Sequence, residues 1–220
     1  MQSEKVVIVV GGDLTDVAAL VRRYATSHRM VGADRGALKL AELLPHFDAA
    51  IGDFDSVTPS EMEDIKKKSL VCRVLPAQKD ETDTEAAIAY AIEMFNPEEI
   101  ILLGVFGGRL DHLMSNLWLA FHPLVKQMTG KVSLMDRHNT LRFYLPGKYV
   151  LKKEEGKKYL SFIGMTPIKE LKLTGVAYPL NGKDYEYPIA LVSNEFKDTE
   201  MTFSFGSGLL AVIQSSDKRE

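Results

Sequence analysis

Short apolar runs alternate with amphipathic segments through the first part of the chain. Residues 5–10 form a continuous apolar run that ends at Gly11 and Gly12, the pattern of a strand buried on both faces. The same texture predicts further strands at 30–33, 48–51, 70–75, 100–103 and 132–135. Helical spacing predicts helices at 15–27, 36–44, from Pro59 onward, 82–95 and 111–121. This alternation indicates an α/β domain with a mainly parallel sheet.

The pattern changes beyond residue 145, where helical periodicity stops. Short β-rich runs, separated by Gly, Pro and Asn, follow at 149–151, 159–163, 170–173, 189–192, 201–205 and 209–213. Such spacing is typical of a small all-β sandwich or barrel, of which we expect the sandwich. The sequence therefore predicts an α/β nucleotide-binding domain over residues 1–145 and a β-sandwich domain over residues 146–220.

Composition narrows the class of protein. Hydrophobic residues make up 45% and charged residues 26%, the balance of a globular chain. The net charge is −3 without a basic stripe, which disfavours nucleic acid as a partner. No apolar run has membrane-spanning length, and the first residues lack the regions of a signal peptide. Cys72 is the single cysteine, which suits a reducing compartment, so we expect a cytoplasmic protein without a membrane partner.

Two aspartates follow the strand predicted at 48–51. In an extended backbone, residues two apart point to the same side, so the carboxylates of Asp53 and Asp55 converge. Mg²⁺ binds through one or two carboxylates together with substrate phosphates. The alternative is a plain turn, because Asp, Gly and Ser are all turn formers. The position at a strand end, where parallel sheets bind ligands, favours the metal site.

An acidic segment, residues 78–83, lies between a predicted strand and a predicted helix. Thr82 and Glu85 match a capping box, and Asp83 in the first turn suits the helix dipole. That interpretation leaves Lys79, Asp80 and Glu81 unexplained. A helix N-terminus also attracts phosphate, so metal-bridged phosphates near Asp53, Asp55 and Asp83 would form one coherent site.

A third polar cluster, residues 104–112, is rich in glycine. Glycines let a backbone approach a ligand closely, and the planar fork of Arg109 suits phosphate oxygens. Asp111 has an alternative role as the N-cap of the next helix. The P-loop, dinucleotide, zinc and nucleophile-elbow signatures are absent. These observations favour a magnesium-dependent enzyme that transfers a phosphorus group from ATP.

The motifs at 32–37, 52–56, 79–83 and 107–112, in that order, resemble those of thiamine pyrophosphokinases. In the second domain the resemblance extends to residues 178–180 and 193–196. It implies an ATP-binding α/β domain, a β-sandwich and a homodimer, and the reaction of ATP with thiamine to give thiamine diphosphate and AMP. Departures from the family pattern include Arg35 where a glycine is usual, Lys79 where Gln is common, and Tyr178 where some members have Trp.

The resemblance also implies a role for each residue that matches a motif. Asp53, Asp55 and Asp83 would hold Mg²⁺, and with Arg109 and Asp111 they form the predicted catalytic set. The nucleotide and its phosphates would lie near Asp34, Lys79, Asp80, Thr82, Arg109 and Asp111. Thiamine would lie near Tyr178, Ser193 and Asn194, and we expect these residues and the acidic clusters to come from different chains of the dimer.

Other functions stay open at this point. A pyrophosphokinase for another alcohol, such as a pterin, would share the phosphate machinery. A nucleotide-binding regulatory module without turnover is disfavoured, because binding alone does not require so many converging carboxylates. A structural protein that assembles through its β domain would leave the strand-end clusters unexplained.

Overall fold

The chain forms two compact units in this computed structural model, which describes residues 4–78 and 80–217. The units are Met1–Arg137 and His138–Glu220. The predicted boundary at 145/146 falls after strand β7 (Asn139–Tyr144), whose antiparallel pairing with a strand near residue 210 ties it to the second unit. Lys79 lies outside the described residues.

The first unit contains a parallel six-stranded sheet with the strand order β6-β5-β1-β2-β3-β4. Its strands are β1 (Lys5–Val9), β2 (Arg29–Ala33), β3 (Phe47–Gly52), β4 (Ser69–Val74), β5 (Glu99–Leu103) and β6 (Val132–Met135). The order reverses between β1 and β5, so the topological switch point, where such sheets bind ligands, lies beyond the ends of these two strands.

The helices of the first unit confirm the predicted alternation. They are α1 (Val17–Tyr24), α2 (Arg35–Leu43), α3 (Pro59–Lys68), α4 (Asp83–Phe95), α5 (Leu110–Trp118) and α6 (Pro123–Gln127), with a 3₁₀ turn at Leu119–Phe121. The core is formed by strand residues such as Val7 and Leu103 together with Leu40 of α2 and Ile65 of α3. The short helix α6 was not predicted, because five residues are too few to show helical periodicity.

The second unit consists of two antiparallel sheets. One sheet has the order β12-β9-β14-β7 and the other β11-β10-β13-β8. Besides β7, the strands are β8 (Gly147–Lys152), β9 (Tyr159–Gly164), β10 (Ile168–Thr174), β11 (Leu180–Tyr185), β12 (Ile189–Glu195), β13 (Glu200–Phe205) and β14 (Leu210–Ser215). Side chains from both sheets, including Phe162 and Phe203, form one core, so the unit is a sandwich.

The predicted fold class is therefore confirmed at the level of a parallel α/β unit followed by an antiparallel β unit. Strand β11 was missed because its sequence is largely polar and exposed, without the alternation of a half-buried strand. Over the residues that the structure describes, no helix is long and apolar enough to cross a membrane.

Candidate functional site

A cavity of about 610 Å³ lies in the first unit at the carboxyl ends of the parallel strands. It brings together the polar segments that follow β1, β2, β3 and β5 and the start of α4. Its lining is drawn from residues 10–12, 33–35, 53–56, 77, 81–84 and 105–116. The cavity therefore lies at the switch point of the sheet, as the strand order requires.

Three carboxylates converge in this cavity. Asp34, Asp53 and Asp55 each offer an oxygen, and these oxygens lie within 4.8 Å of one another. The predicted convergence of Asp53 and Asp55 is thus observed, but its cause differs from the extended backbone that we assumed. Phe54 between them has φ = 57° and a buried side chain, and the backbone N–H of Asp55 donates to Asp53 Oδ1 at 3.1 Å. The segment is a turn, and the turn itself brings the two carboxylates together.

Asp34 was predicted to lie near the nucleotide, and the structure places it within the carboxylate group. Its backbone has φ = 47°, and its N–H donates to the carbonyl of Ile51 at 3.0 Å. Ser56 Oγ donates to Asp34 Oδ2 at 2.8 Å, whereas Oδ1 is buried and has no hydrogen-bond partner in the described part of the chain.

Burial raises the pKa of Asp34, aided by the negative charges of Asp83 and Asp53 and opposed by Ser56 and the nearby backbone N–H of Arg35. A buried acceptor without a donor requires an explanation, and a bound cation would provide one. Hard divalent cations prefer carboxylate oxygens, so this donor set fits Mg²⁺.

The start of α4 forms another wall of the cavity. The capping box is confirmed, because Thr82 Oγ1 accepts from the N–H of Glu85 at 3.2 Å and the Glu85 carboxylate accepts from the N–H of Thr82 at 2.7 Å. Asp83 lines the cavity as the first residue of α4. Among the described residues, however, the group of converging carboxylates contains Asp34 and not Asp83. Asp80 is exposed and is not part of the lining described for the cavity.

The loop after β5 carries Arg109. Gly107 and Gly108 have φ values of 75° and 68°, and a Cβ on Gly107 would lie 2.7 Å from Asp13 Cβ, so only glycine fits at that position. Arg109 Nε lies 3.1 Å from Asp111 Oδ1, and Nη2 lies 2.5 Å from Oδ2. This ion pair is exposed, and it lowers the pKa of Asp111 to about 2.

The N-cap interpretation of Asp111 is wrong. Arg109 occupies the N-cap position of α5, and Asp111 lies one residue inside the helix. Its Oδ1 accepts from the neighbouring N–H of His112 at 3.0 Å. Asp111 therefore orients Arg109, and the pair leaves Nη1 of the guanidinium group for another acceptor.

As a predicted phosphate contact, Arg109 is required for turnover, and Arg109→Lys is expected to lower kcat on the order of a hundredfold, the scale for loss of one preorganised hydrogen-bond donor in an active site. A lysine cannot reproduce the planar fork of donors. Steady-state kinetics with varied ATP would measure the change, while the melting temperature should hardly move, because an exposed pair contributes little stability. Arg22→Lys on the exposed face of α1 is the matched control. An Arg109→Lys chain with native kcat and KM would contradict the predicted phosphate contact of Arg109.

Asn116 is a cavity residue that the sequence analysis missed. Its side chain is buried, and Nδ2 donates to the carbonyl of Val105 at 3.0 Å, which ties α5 to the loop after β5. The sequence carried no distinct signal for Asn116, because α5 also contains the polar residues Asp111, His112 and Ser115. Ser56 was also missed as an individual contact, although it belongs to a motif that we singled out.

The residues predicted to contact thiamine lie in the second unit. Tyr178 is 69% exposed, so its side chain does not pack in the sandwich core. Ser193 and Asn194 belong to β12, and Ser193 has φ = 60° within an irregularity of the strand pairing. The Asn194 side chain is buried and holds the backbone of Tyr178, with Oδ1 accepting from the N–H at 3.0 Å and Nδ2 donating to the carbonyl at 2.9 Å. Asn194 thus positions Tyr178.

Asn194→Ala is expected to destabilise the protein by about 1–3 kcal/mol, the cost of leaving buried polar groups without partners. Urea unfolding would measure the loss, with the exposed Asn181→Ala in β11 as the control. If both variants unfold at the same urea concentration as the parent, the contacts of Asn194 do not stabilise this unit.

Comparisons with known proteins agree with this organisation. A model of the thiamin pyrophosphokinase catalytic domain matches residues 20–132, and a model of the thiamin pyrophosphokinase vitamin B1 binding domain matches residues 148–210. The chain is 35% identical to a thiamine pyrophosphokinase of Bacillus subtilis (strain 168), over 97% of this chain and all of that protein.

Solved structures extend the similarity to the fold. A thiamin pyrophosphokinase family protein from Enterococcus faecalis is 38% identical, covers 98% of this chain and 100% of its own, and superposes with a TM-score of 0.90. The thiamine pyrophosphokinase structure from Bacillus subtilis gives a TM-score of 0.87 at 33% identity, with 98% of this chain and 100% of that chain covered. Most of the cavity lining lies in the segment that matches the catalytic domain, and the relatives cover the chain almost from end to end. The chain therefore belongs to the thiamine pyrophosphokinase family.

Proposed function

We propose that this chain transfers pyrophosphate from ATP to the hydroxyl group of thiamine, giving thiamine diphosphate and AMP. The carboxylate group of Asp34, Asp53 and Asp55 carries the proposal, because it lies in a cavity at the switch point within the catalytic family segment. The match of residues 148–210 to a vitamin B1 binding domain supports thiamine as the acceptor.

Magnesium is part of the proposal. Asp53 and Asp55 would hold the ion, together with Asp34 from the same group and Asp83 from the cavity wall. When bound, it would neutralise phosphate charge and stabilise charge that develops during transfer. The unpartnered buried oxygen of Asp34 supports this assignment.

The remaining chemistry is positioning and electrostatics. The oxygen of the thiamine hydroxyl forms a bond to the β-phosphorus of ATP, and the bond from this phosphorus to the α,β-bridging oxygen breaks. AMP leaves with the electron pair of the broken bond, and the hydroxyl proton is released. Arg109, oriented by Asp111, would bind phosphate oxygens and hold the β-phosphorus in line with the attacking oxygen. Thr82 and Asp83 would place the start of α4 beside the phosphate chain.

On the acceptor side, the exposed ring of Tyr178 would stack on a flat heterocycle of thiamine. Asn194 would support this ring through the backbone of Tyr178, and the neighbouring Ser193 is exposed on β12. No nucleic acid is part of the reaction, and a cytoplasmic location stays a prediction of the sequence.

A homodimer with shared active sites is also proposed. An apolar stripe on one face of α5 and the turn after it supports an association surface. Its members are Leu110, Met114, Trp118 and Phe121, and each is at least 41% exposed. Exposed apolar patches of this kind mark interaction sites more often than isolated surface residues do.

The proposed acceptor can be tested with a panel of alcohols. The protein would be incubated with ATP and Mg²⁺ plus either thiamine or a hydroxymethyl pterin, and AMP would be measured by chromatography. Thiamine-dependent AMP without pterin-dependent AMP is the expected result. The reverse pattern would support the alternative acceptor, and ATP binding without AMP from any alcohol would favour a regulatory module.

A further inference from the structure

One side-chain hydrogen bond joins two polar loops of the first unit. Ser56, in the loop after β3, donates to Oδ2 of Asp34, the residue directly after β2, at 2.8 Å. Ser56 itself is exposed, so its hydroxyl group contributes little to the core. The main effect of this hydrogen bond is therefore to orient the side chain of Asp34.

The backbone of Asp34 is already fixed without Ser56. Its N–H donates to Ile51 at 3.0 Å, and its carbonyl accepts from the N–H of Ala37 at 2.9 Å. Gly52 packs closely against it, since a Cβ on Gly52 would lie 3.1 Å from the backbone nitrogen of Asp34. What remains to be set is the rotation of the carboxylate about the side-chain bonds, and terminal carboxylate torsions are broad when nothing holds them.

Ser56 sets this rotation. A hydroxyl group donates one proton, so the bond to Oδ2 leaves Oδ1 buried and without a donor in the part of the chain that the structure describes. In this orientation a carboxylate oxygen of Asp34 lies within 4.8 Å of oxygens of Asp53 and Asp55. Rotation away from Ser56 would disperse the group.

We propose that Ser56 is a positioning residue, which holds the Asp34 carboxylate together with those of Asp53 and Asp55 for a divalent cation. The inference rests on the proposed magnesium-dependent function and adds a residue to it. Hydrogen bonds to a charged acceptor are short and strong, and groups that orient metal ligands contribute substantially to metal affinity.

The test measures Mn²⁺ binding in the absence of nucleotide, with the free ion followed by electron paramagnetic resonance. Ser56→Ala is expected to weaken Mn²⁺ binding roughly ten- to a hundredfold, the usual cost of losing a group that orients a ligand. Ser56→Thr keeps the hydroxyl group and should retain native affinity. Ser60→Ala is the matched control, because Ser60 is an exposed serine of α3 outside the cavity lining.

Kinetics provide a second readout. If Ser56 acts through the cation, the loss of turnover in Ser56→Ala is recovered at high Mg²⁺ concentration, whereas a general structural defect is not. The melting temperature without metal should match that of the parent protein. Native Mn²⁺ affinity in Ser56→Ala would overturn the inference and leave the proposed function standing. Absence of Mn²⁺ binding by the parent chain would overturn the cation site itself.

Discussion

Asp53→Asn is expected to abolish most turnover while leaving the fold intact. An amide in place of the carboxylate removes one of few anionic ligands available to the proposed cation and misplaces the phosphates. We expect kcat to fall on the order of a hundredfold or more, as for loss of a major electrostatic contact at such a site. Calorimetry of Mg²⁺-ATP binding should show a parallel loss of affinity.

Asp64→Asn is the matched control for this variant, since Asp64 is an exposed carboxylate of α3 outside the cavity lining. Native activity in Asp53→Asn at ordinary Mg²⁺ concentration would remove Asp53 from the metal site.

Asp83→Asn separates two roles for a residue that lines the cavity but lies outside the group of three carboxylates. As a participant in cation binding, Asp83 is required for turnover, and we expect a loss comparable to that of Asp53→Asn. As a helix-dipole partner alone, its replacement would cost roughly 0.3–1 kcal/mol of stability and little activity. Activity and urea unfolding of the same variant distinguish the two.

Mixing two inactive chains is expected to restore activity. One chain carries Asp53→Asn in the first unit, and the other carries Tyr178→Ala in the second. Tyr178 is the better second lesion than Asn194, because its side chain is exposed while that of Asn194 supports the fold. In a two-fold dimer with shared sites, each mixed dimer has one site free of both lesions.

The expected recovery is up to about half the native activity for each mixed dimer, if the two sites act independently. The assay uses a thiamine concentration at which the Tyr178→Ala chain alone is nearly inactive. The two chains carry different affinity tags, and purification on both tags in succession isolates the mixed dimer. Purified mixed dimers without activity would contradict the shared site, since a site within one chain always retains one lesion.

Much of the fold could be predicted from hydrophobic periodicity. The parallel strands appear as short apolar runs that alternate with amphipathic helices, and the capping box at Thr82 and Glu85 was readable as a local motif. β11 and α6 were missed because the first is polar and the second short. Strand β7 was not predicted either, so the start of the second unit was placed at residue 146 and not at residue 138.

The sequence predicted which polar segments form the site, but not how their side chains are arranged. Asp53 and Asp55 converge through a turn at Phe54, whose positive φ no propensity of phenylalanine indicates. Asp34 lies beside them because β2 and β3 are neighbours in the sheet and because Ser56 holds its carboxylate by a hydrogen bond. Both contacts are tertiary contacts, which local sequence patterns do not show. Asp111 was misread as a cap because a side chain that pairs with Arg109 has the same sequence signature as a capping aspartate.

Phosphorus NMR of a single reaction tests the central claim most directly. The protein would be incubated with thiamine, Mg²⁺ and ATP that carries ¹⁸O at the α,β-bridging position. Attack at the β-phosphorus predicts thiamine diphosphate and AMP in equal amounts, with the heavy oxygen retained in the phosphate of AMP. Formation of ADP and thiamine monophosphate, or AMP without the label, would contradict pyrophosphate transfer by this chain.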